Sequence, residues 1–263
     1  MSSQTVTVVD LGHTRWKRAD FVVHLSAAER TAELQHLSSR PVGSPTECLD
    51  WLSSASVGQL VVAGSALDRV KEFARLWDDS HEIPSIAITS REQISVPIAV
   101  EHPDSVGLDR LCNALAVVRR KQPDHAAVIV ASGTALVVDA VTHHGKFAGG
   151  AIAPGLAVGA HALSQLTERL PKIDVADWPE APSYPGEKTV DAMRAGLWFG
   201  HRGAARELLQ AALMELAPHD VDIFLTGGGA NVLMGLANDV QLVPELTLEG
   251  ALWAALDQAG AES

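Results

Sequence analysis

The sequence predicts an α/β protein built from two copies of one sheet-and-helix unit, with a nucleotide held in the cleft between them. Three observations carry that expectation. First, the apolar run Val6-Thr7-Val8-Val9 delivers Asp10 into Leu11-Gly12-His13-Thr14. Second, Ala126-Ala127-Val128-Ile129-Val130-Ala131 runs into Ser132-Gly133-Thr134 in the same way. Third, Leu60-Val61-Val62-Ala63 before Gly64-Ser65 has a counterpart in Ile223-Phe224-Leu225-Thr226 before Gly227-Gly228-Gly229. β-branched residues favour the strand, glycine lets backbone N–H groups approach an anion, and a hydroxyl adds a donor. A lone strand ending in Asp-x-Gly is equally compatible with a hairpin turn. It is the repetition that points to two phosphate-type turns facing each other across a cleft.

Taken in order, the strand from Val6 is expected to pair with a second one over Arg15 to Leu25. Ser26-Ala27-Ala28-Glu29 has the pattern of a capped helix start, continued through Arg30 to Leu37 and broken by the prolines at Pro41 and Pro45. A short helix over Thr46 to Ser54 then leads to the strand at Leu60. Leu67, Val70, Phe73, Ala74 and Trp77, at spacings of three and four, predict a helix over Ala66 to Trp77 with one core-facing stripe. Pro84 to Ile88 is a short strand, and Ile94 to Val100 is an edge or bend because of Pro97. A turn at His102 to Ser105 precedes a helix from about Leu111 to Lys121, and the break at Gln122-Pro123 sets the expected domain boundary, 1–122 against 123–263. Beyond it, His143-His144-Gly145-Lys146 is a tight turn between strands, and the stretch from Phe147 to Gly155 has little side-chain bulk and lets backbones pass closely. A helix over Ala157 to Leu170 is stopped by Pro171. A loop over Ala176 to Glu187 carries three prolines. Thr189 is expected to cap a long helix to about Ala217, and Leu246 to Ala259 is the last helix.

Composition narrows the function. The chain has 263 residues, 47% of them hydrophobic, enough for a substantial core. A formal charge of -12 argues against a surface that neutralises a phosphate backbone, while leaving room for one small phosphorylated ligand. Cys48 and Cys112 stand far apart without zinc spacing and read as free thiols. His143 and His144 are adjacent and point apart, so they do not chelate one zinc ion. No GxxxxGK[ST] or G-x-S-x-G motif is present. No run reaches about 18 apolar residues, so the expectation is a soluble, cytoplasmic protein that contacts no membrane.

Among carboxylates, Asp10 at the first turn is placed to hold a cation directly or through water. Asp109 follows Gly107, with Arg110 beside it to keep it ionised; it is placed either to accept a proton from an attacking hydroxyl or simply to complement the start of a helix.

With these residues laid out, the chain resembles the type III pantothenate kinases of the acetate kinase, sugar kinase, Hsp70 and actin superfamily, and the related Bvg accessory factors. The resemblance runs in order through Asp10-Leu11-Gly12-His13-Thr14, then Gly107-Leu108-Asp109-Arg110 with Asn113, then Gly133-Thr134-Ala135 with Asp139. It continues through Gly149 to Gly155, Leu170-Pro171, Thr189 with Gly196, Thr226-Gly227-Gly228, and Leu246-Thr247-Leu248-Glu249-Gly250. It implies duplicated RNase H-like domains of the actin-like ATPase type with ATP between them, and a homodimer. The implied activity is ATP-dependent phosphorylation of pantothenate, with Mg2+ and a monovalent cation, K+ or NH4+. Asp10, Leu11, Gly12, His13, Thr14, Arg15, Trp16 and Lys17 would form the first phosphate loop, with Asp10 near Mg2+, and Thr134 would touch ATP from the second. Gly107, Leu108, Asp109 and Arg110 would hold pantothenate, with Asp109 as proton acceptor, and Thr189 would contact it too.

Some positions depart from the family pattern. Ala131 stands where the family carries the Asp that binds the monovalent cation. His13 replaces a loop Asn, Leu108 an Ala, and Leu136-Val137 a pair of threonines, while the Tyr of the family's substrate loop has no counterpart near Val100. Two other readings follow from these changes: a nucleotide- or pantothenate-binding regulatory protein that has lost catalysis, and a kinase for another small hydroxyl substrate.

Overall fold

A computed structural model describes residues 2–12, 15–25, 30–41, 43–53, 57–175, 178 and 180–261. It divides into two compact units, one formed by Met1–Val96, Glu101–Arg119 and Glu245–Ser263, the other by Pro97–Val100 and Arg120–Pro244. The chain passes from the first unit to the second between Arg119 and Arg120. The expected boundary is corrected at the far end, because the last helix belongs to the first unit.

In the first unit, β1 (Ser2–Leu11) pairs antiparallel with β2 (Arg15–Leu25), which pairs antiparallel with β3 (Arg30–Pro41). On its other side β1 runs parallel to β4 (Gln59–Ala63), and β4 to β5 (Ser85–Ala87), giving the order β3-β2-β1-β4-β5. Helices α1 (Pro45–Ser53) and α2 (Leu67–Asp78) cover one face. Val9, Leu11 and Trp16 from the sheet pack there with Cys48, Leu52, Val70, Phe73 and Trp77. Burying an aliphatic or Phe side chain of this kind is worth about 1.5–3 kcal/mol each. Side chains alternate along a strand, so Val6, Val8 and Asp10 share the opposite face. Helix α6 (Leu246–Ala261) packs against β1, β2 and β4. Gly250 brings it onto α3 (Leu108–Arg120), where a Cβ would lie 1.9 Å from the Cys112 carbonyl oxygen.

The predicted helix over 26–37 is overturned: residues 26–29 lie outside the described residues, and Arg30 onward is the edge strand β3. Its register with β2 supplies the reason, since Ala32 and Leu34 fall opposite Val23 and Phe21 while the polar side chains between them face outward. Leu67 opens α2 but is exposed, so the buried stripe is Val70, Phe73, Ala74 and Trp77.

The second unit repeats the plan. β6 (Ala126–Ser132), β7 (Ala135–Val141) and β8 (Phe147–Pro154) form an antiparallel meander. β9 (Val221–Thr226) lies parallel to β6, and β10 (Val240–Leu242) to β9. The order β10-β9-β6-β7-β8 is that of the first sheet, with β6 in the place of β1 and β9 in the place of β4. Those are the strand pairs whose sequences resemble each other. Helix α4 (Leu156–Leu166) ends before Thr167, earlier than Pro171 suggested. Helix α5 (Thr189–Leu216) lays Ala205, Leu209 and Leu216 against Val128, Val130, Leu136 and Val138. The Pro97 stretch forms an isolated bridge, Ile98 to Phe147, rather than a strand. Among the described residues, no helix is long and apolar enough to cross a membrane.

Candidate active site

At the end of β1, Asp10 faces Lys17 across the β1–β2 pair. Burial pushes the Asp10 carboxyl up from 3.8 to about 6, Lys17 pulls it back, and Asp109 pushes it further up. The first unit therefore brings together two carboxylates that the sequence separates by nearly a hundred positions. Asp109 sits in the first turn of α3, where its Oδ1 accepts from the Arg110 backbone N–H at 2.9 Å. Gly107 leaves room for that carboxylate, since a Cβ there would meet Oδ1 at 2.6 Å. The helix is pinned by buried Asn113, whose Oδ1 accepts from Thr247 Oγ1 at 2.8 Å, and by the approach of Gly250 to Cys112. Both Cys112 and Cys48 are buried thiols; burial pushes Cys48 up to about 12 and Cys112 further. They are inert packing residues rather than nucleophiles.

Of the expected first phosphate loop, His13 and Thr14 lie outside the described residues. Leu11 and Trp16 turn into the core on the opposite face from Asp10, so whatever they offer a ligand comes from their backbone. Arg15 is exposed and donates to Ser39 Oγ at 3.0 Å. Gly12 must stay small, because a Cβ would come within 2.8 Å of the Arg15 carbonyl oxygen. A cavity of about 320 Å³ in this unit is lined by Gly107 and Leu108 together with Gly64, Ser65, Thr89 and Ser90. Of its hydroxyls, Ser65 lies on a turn already named from the sequence while Thr89 and Ser90 were not singled out, and together they suit a small polar substrate.

In the second unit, Thr134 is exposed on the turn between β6 and β7. The turn is clamped by backbone: Gly155 N–H donates to the Thr134 carbonyl at 3.1 Å, and Gly229 N–H donates to the Ser132 carbonyl at 2.8 Å. A Cβ on Gly155 would lie 2.3 Å from the Gly133 carbonyl oxygen, the close passage expected of this low-bulk stretch. Leu136 is buried in the core, where a threonine would need a partner. Asp139 is buried in β7, and a Cβ on Gly150 would meet its Oδ1 at 2.5 Å. Thr189 is the first residue of α5 rather than its cap, a position taken by Lys188. It borders an apolar groove of about 640 Å³ between α4 and α5, lined by Leu163, Leu166, Met193 and Leu197. Sequence reasoning also passed over the buried His201, although His201, Ala205 and Leu209 recur every four residues on the core-facing side of α5.

The chain is similar over 97% of its length to a Baf family protein from Campylobacter jejuni, at a TM-score of 0.54 and 14% identity, with 99% of that chain covered. An archaeal actin homologue shows a TM-score of 0.54 and 13% identity, covering 96% of this chain and 99% of the other. These likenesses and the repeated strand order define an actin-like fold with two similar sheet-containing units. Residues 7–211 match the description "Type III pantothenate kinase". A type III pantothenate kinase of Rubrobacter xylanophilus is 30% identical over 256 residues, which span 92% of this chain and 94% of that protein. The chain belongs to the type III pantothenate kinase family.

Proposed function

We propose that this protein transfers the γ-phosphoryl group of ATP to the primary hydroxyl of pantothenate, giving 4'-phosphopantothenate and ADP, the first step of coenzyme A biosynthesis. Family membership along nearly the whole chain carries the reading. The carboxylates Asp10 and Asp109, close enough in one unit to raise Asp10's proton affinity, support it independently. We read both units as RNase H-like.

Phosphoryl transfer of this kind asks little covalent chemistry of the protein. The pantothenate oxygen forms a bond to the γ-phosphorus, the bond to the ADP oxygen breaks, and the hydroxyl proton passes to Asp109. Gly107, Leu108 and Arg110 position that hydroxyl in the first unit, and Thr189 contacts the same substrate. Gly12, His13, Thr14, Arg15 and Lys17 meet phosphate from the first turn, and Thr134 from the second. Mg2+ suits Asp10, because a carboxylate raised by desolvation and by a neighbouring carboxylate is one that a cation returns to its charged form. An ion of this kind is held by one or two carboxylates together with the substrate's own phosphates. The ion's contribution would be to neutralise charge on those phosphates. Leu166, 84% exposed beside the apolar groove, and Ile152, 63% exposed on β8, support a homodimer that covers them.

The test is ADP release from the purified protein with ATP, Mg2+ and pantothenate, beside the Asp109→Asn variant. Turnover that needs pantothenate and falls by about 100-fold or more in the variant is expected of a lost general base. Ligand binding without turnover would identify a regulatory member, turnover with a different hydroxyl compound would identify another kinase, and near-normal activity of the variant would remove Asp109 as the base.

A further inference from the structure

Helix α5 carries a buried histidine that the chemistry above does not use. His201 is 6% exposed, and its Nε2 shares a hydrogen bond of 2.9 Å with Oγ of Ser132, which is 1% exposed. Ser132 is the last residue of β6 and leads directly into Gly133 and Thr134. Its backbone is already gripped: a Cβ on Gly227 would lie 2.3 Å from the Ser132 carbonyl oxygen, and one on Gly229 would lie 2.5 Å from its Oγ. Only glycine at 227 and 229 leaves the Ser132 carbonyl and hydroxyl the space they occupy, and His201 meets that hydroxyl from α5. Burial holds the imidazole below its ordinary pKa of 6.5. A neutral ring has one donor and one acceptor nitrogen to share with a hydroxyl.

Packing alone does not account for this pair. Replacing both partners of a buried hydrogen bond by apolar groups of the same shape is close to neutral for stability, so a core that needed only filling has no use for them. What the bond adds is direction at the turn. The neighbouring strand end tells the same story, since Thr226, 2% exposed and paired with Ala131, keeps a hydroxyl without a protein partner. Polar atoms are concentrated where the strands of this sheet hand over to their phosphate-type turns. His201 also lies about three helical turns beyond Thr189 on one continuous helix.

We propose that His201, acting through Ser132, is a positioning residue that sets the Gly133-Thr134 turn for the phosphates of ATP and ties that turn to the helix that begins at Thr189. This rests on the reading that Thr134 touches ATP. The partner it implies is the nucleotide, not the acceptor, so damage to the pair should fall on ATP.

The experiment compares Ser132→Ala, His201→Phe, the double variant and His201→Gln by steady-state kinetics and thermal melting. Both single changes should raise KM for ATP about tenfold, the equivalent of 1.4 kcal/mol and within the range for one buried hydrogen bond. KM for pantothenate should move by less than about twofold, and the double variant should be no worse than the poorer single one, because the pair acts as a unit. His201→Gln keeps an amide nitrogen near the Nε2 position and should restore most of the ATP affinity. Unchanged KM for ATP in both single variants overturns the proposal. So does a loss that follows only a lowered melting temperature, strikes both substrates equally and is not rescued by glutamine. If the unaltered protein turns over no pantothenate, it is the functional reading that fails. ATP dissociation constants from calorimetry then make the same comparison among the variants.

Discussion

Asp10→Asn should make the ligand-free protein more stable at neutral pH while ending its activity. In the folded chain the Asp10 carboxyl is pushed up to about 6, whereas in the unfolded chain it ionises near 3.8. Between those values the native state holds a proton that the unfolded state has released. The stabilisation is therefore complete below the lower value and disappears as pH rises through the upper one. At 1.36 kcal/mol per unit, the native state above pH 6 carries a cost of at most about 3 kcal/mol for keeping Asp10 ionised. Water at the carboxylate's exposed edge reduces this, so the asparagine variant should gain about 1–3 kcal/mol. Denaturant unfolding at about pH 7.5 and about pH 4 reads the difference: a raised midpoint for the variant at the higher pH, and near-coincident curves at the lower. Mg2+ with ATP should then stabilise the unaltered protein more than the variant, since only the former has a charge to be relieved. An asparagine variant no more stable at neutral pH, or equally more stable at both, would refute the reasoning.

Two further outcomes are expected. Gly250→Ala puts a methyl group 1.9 Å from the Cys112 carbonyl oxygen and must push α6 away from α3. A loss of about 1–3 kcal/mol in urea unfolding, with turnover falling because α3 carries Asp109, is expected of such overpacking; an unchanged midpoint would mean the two helices do not need this approach. Because Ala131 offers a cation no side-chain oxygen, turnover should be the same with and without added K+. A strong requirement for K+ in the ADP-release assay would show that other oxygens have taken over the role.

Much of this architecture is legible because buried strands announce themselves. Val6 to Val9, Leu60 to Ala63, Val128 to Val130 and Ile223 to Leu225 are short apolar runs followed by small residues. Each is a central strand, and together they occupy equivalent places in two sheets of the same order. Edges are harder. Arg30 to Pro41 buries little, so its two-residue alternation is too weak to read from the sequence, and its pairing with β2 decided a conformation that local propensity did not. Facing was also illegible in the first turn: Trp16 and Lys17 are adjacent, yet one side chain fills the core and the other lies across from Asp10. The link between Asp10 and Asp109, like the bond between His201 and Ser132, is a contact across long sequence separation. Spacing does not encode such contacts, and topology creates them.

The membership of α6 in the first unit bears on how the chain comes off the ribosome. Everything from Arg120 to Pro244 is one uninterrupted stretch and can close its own sheet as soon as it has emerged. The first unit waits: β1 to β5 and α3 are made early, but the helix that seats against Cys112 and Asn113 is synthesised only after the whole second unit. The half that begins first therefore finishes second, and until then the apolar face of β1 and β4 beneath α6 stays uncovered. Nascent chains stalled so that Pro244 has cleared the ribosome while α6 is still inside the exit tunnel should bind hydrophobic-patch chaperones through the early strands, with the later half expected to resist protease.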